Sequence, residues 1–405
     1  MRGLFVSIYV SAWPLILVVT STKLRAYSNS ESRYTLQSVK SGIFIMPFHS
    51  PDKPLAQCHD EDMELALRAE DLGYDEFWVG EHHTLAWEPI VSPEMFIAAV
   101  FRQTKRMRLG PAPVLLNLHH PAQVAHRLAF LDHFSHGRLN LAFGYGGSPA
   151  DFSMYGQEPS EMQSRLSEAI GIILKIWTSD GPYELVGDHW TVKLESNSDE
   201  MGFGVVQKPL QRPYPPISVP VTSRGSGSVK VAALLGFHPF SHSIIPGNVL
   251  KDQWDTYELT ADGVGLKPKR EDWNIARTVF LADTTKEAEK RARGNAVTTA
   301  YEYVGKAIGR RGGLGVMKRD LSMADSDVDV DYFINELVIV GDVDTALDRL
   351  LQLWEETGPF GTLSMMEFGW INDDDRLAWL HSTELFTGEL LPRFNAAVGA
   401  TVTVS

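Results

Sequence analysis

The chain has one cysteine, Cys58, among 405 residues. A lone thiol excludes an internal disulfide framework and points to a reducing, cytoplasmic setting. Positive charge is also short. There are 37 Lys and Arg against 51 Asp and Glu, a formal net charge of -14. That balance argues against nucleic acid or an anionic membrane as the main partner. No Gly-x-Gly-x-x-Gly follows the first strand-like run, which weakens a dinucleotide-binding reading. Long apolar runs are missing too, except near the start. Leu4 to Val19 is apolar, preceded by Arg2 and interrupted by Pro14. It has the make-up of a signal-like or anchoring segment, but is short for a membrane span. An upstream extension on a soluble enzyme fits it better, because the rest of the chain carries no secretory hallmark, so residues 1–38 are set apart from the fold.

What is present is an alternation of strand and helix. Gly42–Met46 is a short apolar run closed by Pro47. Asp60 to Leu72 has helical spacing with a Gly73 stop, and Phe77–Val79 is a strand. Helical spacing returns over 93–103, 121–133, 162–177, 229–235, 286–303 and 343–356. Extended runs lie at 109–118, 139–143, 216–221, 275–281 and 362–366. This order predicts a parallel α/β fold. With no linker in view, a (β/α)8 TIM barrel over residues 39–397 is the expectation, with insertion segments. Asp188 to Lys208 reads as a hairpin or an excursion, and Gly309 to Asp331 as a lid or an irregular stretch.

The sharpest motif is Glu81-His82-His83, where an apolar strand ends in a carboxylate and two imidazoles. Alone it is either a polar turn or a site. In a parallel barrel, ligands bind at the carboxyl ends of the strands. His119 and His120 form a second histidine pair. They are adjacent and have no third ligand beside them, so no metal is expected. Gly144-Tyr145-Gly146 follows a strand, where glycine admits close approach of a ligand to backbone. Ser223-Arg224-Gly225-Ser226 lies between a strand and a helix start, a natural phosphate cradle. Phe48, Phe240 and Trp254 are candidates for an apolar pocket, although such residues also fill cores.

Five stretches resemble one family in the right order: Gly42–Phe48, Glu81-His82-His83, Asn117-Leu118-His119-His120-Pro121, Leu131 to Arg138, and Glu356 to Leu363. The family is the bacterial luciferase-like flavin monooxygenases, and the branch resembles limonene monooxygenase. The resemblance implies a luciferase-like barrel and reduced FMN supplied by a separate flavin reductase. It also implies O2 addition at the flavin C4a position and transfer of one oxygen atom to an apolar, terpene-like substrate, by epoxidation or Baeyer–Villiger insertion. A homodimer is implied as well. His82 matches the family's active-site histidine, with Glu81 as its support. Ala112, Asn117, Gly144, Tyr145, Gly146, Ser223, Arg224, Gly225 and Ser226 fall at the cofactor, and Phe48 and Phe240 at the substrate. Ala112-Pro113 falls where relatives carry a cis peptide. Some relatives have an arginine at the Tyr145 position for the flavin phosphate, and Arg224 is expected to supply that charge here. Two alternatives stand beside this reading: a deazaflavin-dependent dehydrogenase on the same barrel, and a non-catalytic flavin-binding protein.

Overall fold

The computed structural model describes residues 38–195, 200–310 and 312–401. The reading of Leu4 to Val19 falls outside the described residues. Among the described residues, no helix is long and apolar enough to cross a membrane.

The first half of the ring runs β1 (Lys40–Ile45), α1 (Leu55–Leu72), β2 (Glu76–Val79), α2 (Pro93–Phe101), β3 (Arg108–Pro111), β4 (Val114–Leu115), α3 (Pro121–Phe134) and β5 (Leu141–Gly144). Then come α4 (Pro149–Met154), α5 (Met162–Thr178) and an antiparallel hairpin, β6 (Tyr183–Val186) with β7 (Thr191–Leu194). The second half is β8 (Ile217–Val221), α6 (Gly227–Leu235), β9 (His238–Ser241), α7 (Gly247–Gly263), β10 (Asn274–Leu281), α8 (Thr285–Ala292), α9 (Ala296–Gly309), α10 (Val330–Tyr332), β11 (Val338–Gly341), α11 (Val343–Thr357), β12 (Thr362–Glu367), α12 (Asp373–Leu385) and α13 (Leu391–Thr401).

The strands pair in the order β3-β2-β1-β12-β10-β9-β8-β5-β4, with β11 added alongside β10. β3 and β4 are two halves of one position, so the ring has eight positions. It closes where Leu109 meets Leu139 and where β4 pairs with β5. Every ring pairing is parallel. The expected (β/α)8 barrel is what the chain forms.

Local sequence explains the elements. Helices cover the outside and side chains fill the inside, so ring strands are apolar on both faces. β1, β2 and β10 are buried almost throughout. Gly73 closes α1 at φ 83°, a left-handed turn that glycine adopts without strain. Inside the barrel, Glu76 accepts Trp78 Nε1 at 3.0 Å, and Ser364 Oγ donates to Asn274 Oδ1 at 2.8 Å. Gly110 is needed there, because a Cβ would come within 2.7 Å of the Trp78 ring.

Three expectations change. The helix expected over 286–303 is two, α8 and α9, broken at Gly294 and restarted by Asn295, whose side chain accepts the Val297 N–H. The excursion near Asp188 is the β6–β7 hairpin, which begins earlier, at Tyr183. β9 carries Pro239 inside a ring strand, where a missing N–H argues against a strand on sequence alone.

Candidate active site

β2 ends at Val79, and Gly80 N still donates to Ile45 O at 3.0 Å. The next residue, Glu81, turns into the protein and is 1% exposed. Its carboxylate collects three donors. Oε1 accepts His83 Nε2 at 2.8 Å and His119 Nε2 at 2.7 Å, while Oε2 accepts the Leu115 backbone N–H at 3.0 Å. Burial pushes a carboxyl toward its neutral form. The bonds from His119 and His83, the His119 charge and the Leu115 N–H outweigh that and hold Glu81 below the usual carboxylate range. Because a carboxylate only accepts, both imidazoles are Nε2–H toward Glu81. His83 Nδ1 is then the acceptor for Tyr155 O–H, at 2.8 Å.

His82 points elsewhere, as alternation along an extended backbone requires. Its Nε2 lies 3.0 Å from Glu88 Oε2, a carboxylate that is itself buried. Burial lowers the affinity of His82 for a proton. The Glu88 charge and hydrogen bond raise it further than that, helped by Asp151 and Glu81, so the imidazole titrates above its ordinary value. His82 Nδ1 is buried and has no hydrogen-bond partner among the described residues. Nearby His242, at the end of β9, goes the other way: burial takes it down to about 4 despite the Glu88 charge.

The other expected residues divide. Ala112-Pro113 is a cis peptide. Gly144 sits against it, where a Cβ would come within 2.7 Å of Pro113 Cγ. Tyr145 is half-buried, and Gly146 takes φ 82°. Asn117 is buried; its Nδ2 donates to Met162 O and its Oδ1 has no partner among the described residues. At the far side of the ring, Ser226 caps α6 by accepting the Ser228 N–H, and nothing stands within 4 Å of where a Cβ would be on Gly225 or Gly227. Ser223 is joined to α7 through its carbonyl, which accepts Gln253 Nε2. The Arg224 guanidinium donates to the carbonyls of Lys318 and Arg319, in the segment between α9 and α10, and its Nε is buried without a partner among the described residues. Gly225 N donates to Asp252.

Phe48 stacks on Trp87 at 4.8 Å and packs near Tyr303 and Phe368, forming an aromatic wall beside Glu88. Phe240 is inside the barrel in the layer of Trp78 and Phe44. Trp254 packs on Trp273 next to the amino end of β10, the face opposite Glu81. His120 is exposed and caps α3. Sequence reasoning missed Glu88, Asp151, Tyr155 and Trp87. All four come from loops or a short helix, with no periodic signal to mark them.

Polar groups gathered at the carboxyl ends of ring strands define an enzyme of the parallel (β/α)8 barrel class. The chain belongs to the luciferase-like monooxygenase family, whose model matches residues 39–359. It is 31% identical to the 4-hydroxyprotoasukamycin monooxygenase of Streptomyces nodosus subsp. asukaensis, across 90% of this chain and 94% of that one. It is 28% identical to the limonene 1,2-monooxygenase of Rhodococcus erythropolis, across 89% and 88%. Among solved structures, it matches the oxygenating constituent of 3,6-diketocamphane monooxygenase from Pseudomonas putida, a type II Baeyer–Villiger monooxygenase in complex with FMN. That match has a TM-score of 0.80 and 29% identity, over 88% of this chain and 98% of that one.

Proposed function

We propose that residues 39–397 form the oxygenase of a two-component system. It is an FMN-dependent monooxygenase that takes reduced flavin from a separate reductase and places one atom of O2 in an apolar, terpenoid-sized molecule. Family membership and near full-length similarity to named monooxygenases support this, one of them an oxygenating constituent solved with FMN. The residues fit that cofactor. Asn117 Oδ1 and His82 Nδ1 are buried polar atoms with no partner among the described residues. Ser226 and the start of α6 offer a helix N-terminus for the phosphate, with Gly225 and Gly227 adding no side chain and Arg224 alongside. When bound, the flavin supplies oxygen activation and atom transfer.

The chain's own part is proton control and exclusion of water. Glu88 Oε2 forms an ion-pair contact with Nε2 of His82 at 3.0 Å, and Nδ1 has no partner among the described residues, so proton exchange falls to Nδ1. Phe48, Trp87 and Tyr303 give the adjoining wall its apolar character and suit a hydrocarbon or cyclic ketone substrate. Two copies meet through α2 and α3, where Met95 is 75% and Phe130 61% exposed, an apolar face that a partner copy would cover. The buried thiol of Cys58, pushed up to about 11 by burial, suits a reducing cytoplasm.

The observation that carries the reading is the oriented His82 with a free, buried Nδ1. Its test is His82→Ala, supplied with FMN, a flavin reductase, labelled O2 and a panel of limonene and bicyclic ketones. Label should appear in an epoxide or lactone with the natural protein and fall by about 10²-fold or more in the variant, with FMN binding kept. Undiminished label in the variant overturns the role of His82. No label in any product of the natural protein overturns the monooxygenase reading for these substrates.

A further inference from the structure

The sequence sets a metal aside because His119 and His120 have no third ligand. Folding gives His119 different company. Glu81, His83 and His119 each offer one ligand-type atom, and these atoms lie within 4.8 Å of one another. We propose that Glu81, His83 and His119 bind one divalent zinc-class ion, with water completing the coordination, on the wall of the flavin pocket.

The donor set comes first. Two imidazoles and a carboxylate, with no thiolate, suit zinc, cobalt, nickel or ferrous ions, and three protein ligands plus water is an ordinary open zinc site. The geometry is close to what such an ion needs. Both Nε2 atoms converge on a single oxygen, Glu81 Oε1, at 2.8 and 2.7 Å. Zinc bonds of ~2.0–2.1 Å place neighbouring tetrahedral ligands about 3.3 Å apart. An ion therefore replaces the two shared protons if each imidazole backs away by about half an ångström.

The surroundings of a metal site are also in place. Ligating histidines and carboxylates are normally held by further hydrogen bonds. Glu81 Oε2 is held by the Leu115 N–H at 3.0 Å. His83 Nδ1 faces Tyr155 Oη at 2.8 Å and donates to it once Nε2 binds metal. An entry path exists, because the side chains of His83 and His119 keep 9% and 16% exposure while that of Glu81 has none. His82, between two of the ligands in sequence, turns to Glu88 and takes no part. The occupied site would tie the tip of β2 to the turn after β4.

The test uses chelator-treated full-length protein without flavin, titrated with Zn2+ by calorimetry and with Co2+ by visible absorption. We expect one ion per chain, at micromolar affinity or tighter, with the intense bands of tetrahedral cobalt. His119→Ala and Glu81→Gln should each lose that ion, and Tyr155→Phe should weaken it by about 10-fold. His120→Ala, outside the cluster, should bind as the natural protein does. Circular dichroism checks that each variant is folded; if Glu81→Gln is not, His119→Ala decides alone. Absence of stoichiometric binding by the natural protein overturns the proposal. So does binding that survives unchanged in folded His119→Ala, because the ion would then sit elsewhere.

Discussion

Glu81 and Glu367 are both buried at the carboxyl ends of ring strands, Glu81 just past β2 and Glu367 as the last residue of β12, the two neighbours of β1. Their chemistry is opposite. Glu81 faces into the site and accepts three N–H bonds, so it stays ionised. Ser364 points into the barrel to Asn274, and Met365 meets the Tyr74 hydroxyl, so alternation sends Glu367 outward beneath the helices. There neither of its oxygens has a hydrogen-bond partner among the described residues. Burial first, and then the charge of Asp375, hold its carboxyl well above the usual range. Equal burial gives a charged ligand group in one place and a neutral plug in the other, and the local supply of N–H donors makes the difference.

The largest effect should come from removing the satisfied member. Glu81→Ala strands the N–H groups of His83, His119 and Leu115 in a buried pocket. Leaving such groups unpaired costs about 3 kcal/mol, which a urea denaturation midpoint would show. A change below about 1 kcal/mol would mean that water replaces the carboxylate at no cost, against the enclosure described here.

The next effect separates the two carboxyls by pH. Glu367 has a folded-state proton affinity above its unfolded one. Above the ordinary carboxylate range, near pH 4.5, the folded state holds more protons, and stability falls as pH rises toward the folded value. Glu367→Gln removes that slope. Its melting temperature should match the natural protein near pH 4.5 and exceed it increasingly as pH rises toward the folded value, with about 1.4 kcal/mol for each unit by which that value is raised. A difference that does not vary with pH would show that Glu367 is ionised in the fold.

Much of this was legible in the sequence. The ring strands announce themselves as apolar runs between glycine and proline, and Glu81-His82-His83 stands out because three polar residues end such a run. The partners do not. Asp151 bonds the Thr84 backbone N–H from 67 residues away, and Tyr155 reaches His83 across 72. The partner of His119 is Glu81, 38 residues earlier. Glu367 ends the run Thr362–Met366, but which face it takes depends on register, which no local pattern sets. Arg224 was expected at a phosphate, and its carbonyl partners lie in the irregular stretch that begins near Gly309.

The smallest effect falls at the rim of the same network. Tyr155 is exposed, and its hydroxyl reaches His83 Nδ1 at 2.8 Å. In Tyr155→Phe, water can take the place of the lost hydroxyl, because the ring lies at the surface. The loss should be about 0.5–1 kcal/mol, the net worth of one replaceable hydrogen bond, and well below that of Glu81→Ala in the same urea series. The ranking locates what holds Glu81 ionised. A small loss puts the weight on the three direct donors, which Tyr155→Phe leaves intact. A loss as large as that of Glu81→Ala would mean that the tyrosine fixes the His83 ring, and that without it the bond from Nε2 to Glu81 fails. The charged carboxylate would then depend on a surface residue, and its contrast with Glu367 would rest on one exposed hydroxyl rather than on enclosure.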